Sequence, residues 1–172
     1  GRGPLAGPVV AAAVILKQYS EELDEINDSK KLTEKKREKL YDIILNNFNV
    51  AVGIASVEEI DKLNILNADF LAMRRALKDL EKFHEAKKDY IVLVDGNLKI
   101  KGYEGKQLPV VKGDAKSLSI AAASIIAKVT RDRIMKDLGL KYPDYDFEKN
   151  KGYGTKKHVE AIKTKGVLKN VH

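Results

Sequence analysis

The chain opens Gly1-Arg2-Gly3-Pro4-Leu5-Ala6-Gly7-Pro8, with three glycines and two prolines in eight residues, and runs straight into an apolar stretch from Val9 to Leu16. Glycine reaches backbone angles closed to other residues, and proline fixes its own. The opening is therefore a shaped loop, and what it feeds has the length of a strand covered on both faces. Ala11, Ala12 and Ala13 would also suit a helix, but Pro8 in front and the short run favour a strand.

Downstream, the hydrophobic period switches repeatedly between helix and strand. Ile26 to Leu32 is a polar loop, after which Thr33 caps a helix with Glu34 in its first turn. Leu40, Tyr41, Ile43 and Ile44 recur at helical spacing as far as Asn46-Asn47. Val50, Val52 and Ile54 alternate as a second strand, and Ser56-Val57-Glu58-Glu59 is a capping box opening a short helix. A longer helix follows, with Leu66, Phe70, Met73, Leu77 and Leu80 as its core stripe. Tyr90 to Val94 is a third strand ending at Asp95-Gly96, and Lys99 to Gln107 a hairpin or loop. Leu108-Pro109-Val110-Val111 is a short strand, placed at a sheet edge by its proline. The spacing then predicts a long helix from Ser117 to about Leu138, buried along Leu118, Ala121, Ala122, Ile125, Ile126 and Val129. Tyr142 to Gly154 reads as an irregular loop, and a last helix runs from about Thr155 to Thr164. Strands interleaved with helices indicate an α/β layer fold. With 172 residues, 44% of them hydrophobic, and no repeat or linker, one domain is expected.

Composition excludes several chemistries. There is no cysteine, hence no disulfide, thiolate nucleophile or cysteine-based zinc site. No run approaches the ~18 apolar residues of a membrane span, and the start lacks the basic and apolar regions of a signal peptide. Cytoplasm is the default expectation. The net charge of +7 suits a polyanionic partner, although a surface tuned for solubility reads equally well.

Asp95 is the foremost chemical candidate. It ends an apolar strand and precedes a glycine, and sites in open α/β sheets gather at the carboxyl ends of strands. The alternative is an Asp-Gly turn. Asp114, after Val111-Lys112-Gly113 and before the long helix, reads by itself as a helix cap. Together the two carboxylates suit one hard cation bound through oxygen, but two ions would need further acids. Lys112 lies near enough to touch phosphate. Lys128, Arg131 and Arg133 also flank these segments, and a solvated helix face explains them just as well. Tyr153, between two glycines in a basic loop, either stacks on a sugar or base or anchors the loop. Asn27 and Ser29 either bind phosphate or form the turn. His84, His158 and His172 lack zinc-ligand spacing, and His158 is expected at the surface.

Taken together these segments resemble type 2 ribonuclease H (RNase HII). The opening through Ala13, Asn27-Asp28-Ser29-Lys30, Val94-Asp95-Gly96, Lys112-Gly113-Asp114, Ala121 to Lys128 with Arg131-Asp132-Arg133, and Lys151-Gly152-Tyr153 with His158 follow the family's motifs in order. The match covers essentially the whole chain, and its specificity lies in the combination.

The resemblance implies an RNase H-like fold with a central mixed sheet flanked by helices and a C-terminal helical segment. It implies an endonuclease that cuts the RNA strand of RNA–DNA hybrids and also cuts 5′ to single ribonucleotides in duplex DNA, as in ribonucleotide and primer removal. By the same resemblance Asp95 and Asp114 are catalytic ligands of Mg²⁺ or Mn²⁺, with two ions expected. Gly1, Arg2 and Gly3 would sense the 2′-hydroxyl, the group that separates RNA from DNA at one nucleotide. Tyr153 would pack on the sugar, and Asn27, Ser29, Lys30 and Lys112 would hold phosphates. Asp28 would shape its loop. A monomer is expected. The family's Asp-Glu pair, expected directly ahead of Gly1, is not in this sequence, nor is the family's continuation beyond His172. The expectation is a chain truncated at both ends, without the first central strand and unable to cleave. Rival readings are a non-catalytic hybrid-binding module and a type 3 RNase H-like nuclease.

Overall fold

The computed structural model describes residues 6–26, 32–83, 89–145, 147–151 and positions 153, 158, 162 and 171. Its elements in order are β1 (Val9–Leu16), α1 (Glu34–Asn47), β2 (Phe48–Ala55), α2 (Val57–Leu63), α3 (Ile65–Leu80), β3 (Val92–Asp95), β4 (Gln107–Val110), α4 (Gly113–Lys116), α5 (Leu118–Lys141) and α6 (Phe147–Asn150).

Local signals place most boundaries. The Thr33 hydroxyl accepts from the amide of Lys36 at 3.2 Å and starts α1. Ser56 and Glu59 form the reciprocal capping box of α2. The Ser117 hydroxyl accepts from the amide of Ile120 at 3.2 Å and starts α5, so Asp114 is not that helix's cap.

β1 and β2 pair antiparallel from Val9 opposite Ala55 to Leu16 opposite Phe48. Helices cover both faces. On one side Val9, Ala11 and Ala55 meet Ala68 and Ala72 of α3. There Gly53 is held so close that a β-carbon would lie 1.9 Å from the Ala72 carbonyl oxygen. On the other side Phe48, Leu40, Ile44, Ala121, Ala122, Ile125, Ile126 and Val129 form the main core of α1, α5 and β2. Each fully buried Ile or Leu there contributes about 2 kcal/mol.

α3 serves two sheets. Its alanines at 68, 72 and 76 are buried. Phe70, with Leu66, Met73 and Leu77, packs instead on Val94 and Ile100 beside β3. The large-residue stripe read from the sequence is therefore only half of the packing surface.

The described strands form an antiparallel pair, β1–β2, and a parallel pair, β3–β4, in keeping with the expected mixed sheet flanked by helices. With Val92 opposite Gln107 and Asp95 opposite Val110, the loop and not the hairpin of the two readings for residues 99–107 forms, within the crossover between parallel strands. One expectation needs correction. The stretch expected to be an irregular loop holds a 3-10 turn, Pro143–Tyr145, and α6. Stacking of Tyr145 on Phe147, with ring centroids 5.5 Å apart, orders it. Among the described residues no helix is long and apolar enough to cross a membrane.

Candidate active site

The parallel pairing of β3 and β4 brings both candidate carboxylates to one corner. β3 ends at Asp95, which is exposed, and β4 leads through Lys112 into α4, where Asp114 is buried. Asp95 Oδ1 accepts a 2.9 Å hydrogen bond from the amide of Gly113, the residue before Asp114. A β-carbon on Gly113 would sit 2.6 Å from Ile120 Cδ1 and 3.1 Å from Asp95 Oδ1, so glycine alone permits this approach. Lys112, at φ 54° and ψ 44°, carries the left-handed backbone that makes the turn. Such angles on a residue other than glycine cost about 1–3 kcal/mol and recur at functional sites. Its side chain is exposed beside the two acids. Gly96, at φ 119°, turns the chain away after Asp95 and leaves open space around itself.

The donor set here is hard oxygen, as Mg²⁺ and Mn²⁺ prefer. Among the described residues no group of three or more candidate ligands forms. Asp69 of α3 lines the same small cleft as Asp95, a neighbour hidden in the sequence because its helix lies more than twenty residues upstream.

A second corner gathers around α5. Arg131, for which a solvated face is one of the two readings from sequence, is 6% exposed. Its guanidinium donates to the carbonyls of Ala6 at 2.7 Å and Pro8 at 3.2 Å, and to the carbonyl of Lys151. It lies 5.5 Å from the ring centre of Tyr153. Burial holds its pKa below the usual arginine value, with Tyr153 and Asp132 acting in the opposite direction. Between the two held carbonyls, Gly7 adopts φ 88° and donates its amide to the Val171 carbonyl at 2.8 Å. A side chain there would meet Met135 Sδ at 2.6 Å.

Tyr153 itself is 45% exposed. Its amide donates to Asn150, and its carbonyl accepts from His158 Nδ1 at 2.8 Å. His158 is fully buried, contrary to the surface position expected for it. Edge contact with Phe147, centroids 5.3 Å apart, and the bond to Tyr153 satisfy both its apolar and polar parts. Lys151, at φ 54°, is a second left-handed residue.

α5 also reaches α1. Arg133 pairs with Glu38 at 2.7 Å and covers the Tyr41 ring at 4.3 Å. Glu34 lies between Lys136 at 2.8 Å and Lys151 at 3.8 Å. The hydrogen bond from Lys136 is the main reason the Glu34 carboxyl titrates below its usual range.

The structure thus brings Asp95, Lys112 and Asp114 together, and holds Tyr153 beside the end of the opening loop. Gly1, Arg2, Gly3, Asn27, Asp28, Ser29 and Lys30 lie outside the described residues. Neither Arg131 nor His158 announced its role. An Arg in a charged helical run looks solvated, and a lone His carries no periodic signal.

The family model for ribonuclease HII matches residues 1–172. A ribonuclease HII from Fusobacterium nucleatum is 81% identical over all 172 residues, which span 80% of that protein. One from Caldanaerobacter subterraneus is 54% identical over 96% of this chain and 66% of its own length. Among solved structures, the RNase HII of Archaeoglobus fulgidus, determined in complex with PCNA, superposes with a TM-score of 0.75 at 26% identity, covering 100% of this chain and 89% of that one. Ribonuclease H2 of Pyrococcus horikoshii OT3 gives 0.73 at 32% identity, covering 98% and 86%. In fold alone, Bst-RNase HIII in complex with Mn²⁺ is also similar, with a TM-score of 0.77 at 19% identity over 96% of this chain and 60% of that one. With an RNase H-like α/β fold and a family match along its whole length, this chain belongs to the ribonuclease HII family.

Proposed function

We propose that the protein is an endoribonuclease acting on the RNA strand of RNA–DNA hybrids and 5′ to single ribonucleotides in duplex DNA. Water attacks phosphorus, the 3′-oxygen leaves, and the products carry 5′-phosphate and 3′-hydroxyl ends. The observation that carries this reading is the hydrogen bond from Gly113 to Asp95, which fixes one carboxylate beside the residue preceding the other. Bound there, Mg²⁺ or Mn²⁺ would neutralise phosphate charge and activate water. Asp95 and Asp114 are the ligands this chain offers, and the exposed Lys112 would meet phosphate.

In this reading Gly1, Arg2 and Gly3 contact the 2′-hydroxyl. Asn27, Ser29 and Lys30 hold phosphates, and the exposed ring of Tyr153 packs on the sugar beside the ribonucleotide. The net charge of +7 favours the duplex and makes affinity fall with salt. The chain acts as one domain and as a monomer.

Two aspartates suit one ion, and a second would need further acids. The test is incubation with Mg²⁺ or Mn²⁺ and a duplex carrying one ribonucleotide, with binding followed by anisotropy and products by denaturing gel. Preferential binding of the ribonucleotide duplex and metal-dependent cleavage 5′ to the ribonucleotide are expected. Products without a 5′-phosphate would overturn the reaction, and preference for all-DNA duplex would overturn the substrate.

A further inference from the structure

Arg131 is the costliest residue of the second corner. A guanidinium that is 6% exposed has lost its water, and its hydrogen-bond partners here are three neutral carbonyls. Burying a charge is an expensive way to fill an interior position, and Met135, one helical turn away, fills its own with an apolar side chain.

What the guanidinium adds is a planar fork of donors in fixed relative directions. Two prongs reach 123 and 125 residues back to the opening loop, and one reaches 20 residues forward to Lys151. The flat face then lies against the ring of Tyr153. The pieces it meets are shaped for it. Gly7 stays flat against Arg131 because it lacks a side chain, and the left-handed Lys151 offers its carbonyl. The Tyr153 backbone is held by Asn150 and His158, while its ring remains half open to solvent.

We propose that Arg131 is a positioning residue for ribonucleotide recognition. It fixes the distance between the opening loop and Tyr153, so that both meet the same nucleotide step. The inference rests on the proposed substrate. Arg131 itself touches no nucleic acid. Its work is done through the loop carbonyls and the ring.

The test measures discrimination, not affinity alone. Binding of the full chain to a duplex with one ribonucleotide is compared with binding to the all-DNA duplex of the same sequence, for wild type, Arg131→Lys and Arg131→Met. Arg131→Lys keeps the charge but loses the fork. The ratio should fall by about tenfold in both Arg131 variants, the effect of losing a well-placed charged hydrogen bond. All-DNA binding should change little, whereas a merely structural defect would weaken both duplexes together.

An unchanged ratio in folded Arg131→Lys would overturn the proposal and leave the substrate reading intact. A wild type without preference for the ribonucleotide would overturn both. Should neither Arg131 variant fold, hydrogen exchange on the wild type decides. Residues 6–8 and 151–153 should gain protection together on binding the ribonucleotide duplex, and protection of one segment alone would refute the coupling.

Discussion

The two corners of this molecule hold their functional groups by opposite means. At the carboxylate corner, residues 95 and 113 are neighbours through one strand pairing and one amide-to-carboxylate bond. The geometry is short-range, one acid faces solvent, and charge is left available for a cation. At the arginine corner, one buried guanidinium gathers segments more than a hundred residues apart. Its hydrogen-bonding capacity is spent on the protein itself. The first corner keeps a buried carboxylate close to the strand end that carries an exposed one. The second uses a buried charge to hold residues 6–8, Lys151 and the Tyr153 ring in register. Removing the charge at each should therefore change stability in opposite directions.

The largest effect is expected from Arg131→Met. Three carbonyls lose their donor, and the opening loop loses its hold on α5. Thermal unfolding should show a loss of about 3 kcal/mol, roughly 9 °C in Tm. Next is Gly113→Ala, whose β-carbon must displace Ile120 and crowd Asp95. Overpacking of this kind costs about 2 kcal/mol, and metal affinity should fall with it because the Asp95 hydrogen bond opens.

Asp114→Asn should reverse the sign. It removes a buried carboxylate, and a gain of about 1 kcal/mol is expected in metal-free buffer. Wild-type Tm should rise with Mn²⁺, and the variant's should not. A metal-free loss of stability would mean that Asp114 is held by the fold and not reserved for an ion.

The smallest effect belongs to Glu59→Gln, which lies away from both corners. Glu59 meets Arg75 through two contacts of 2.6 Å, and this hydrogen bonding lowers its pKa from the ordinary 4.5 to about 2. Its folded pKa lies below the unfolded one. The stabilisation is therefore complete above about pH 4.5 and is lost as pH falls toward 2. The pair is largely exposed, so the substitution should cost less than about 1 kcal/mol at pH 7 and flatten the acid limb of the stability curve.

Much of this was legible in one dimension. The Thr33 cap, the Ser56 capping box, the strand from Val9 to Leu16 and the apolar stripe of α5 depend on residues within one or two turns of each other. The ends of β3 and β4 were legible too, and with them the candidacy of Asp95 and Asp114. What escaped was pairing between distant elements. The parallel direction of β3 and β4 and the alanine face of α3 against Gly53 leave no periodic signature that separates them from their alternatives.

The sequence by itself determined the family, most element types and the candidacy of the two acids, because motif order and local periodicity are properties of the chain. Only the tertiary structure decided that Arg131 and His158 are interior residues. Burial of a polar side chain depends on whether partners for its hydrogen bonds arrive from elsewhere in the fold. Here those partners are the carbonyls of Ala6, Pro8, Lys151 and Tyr153.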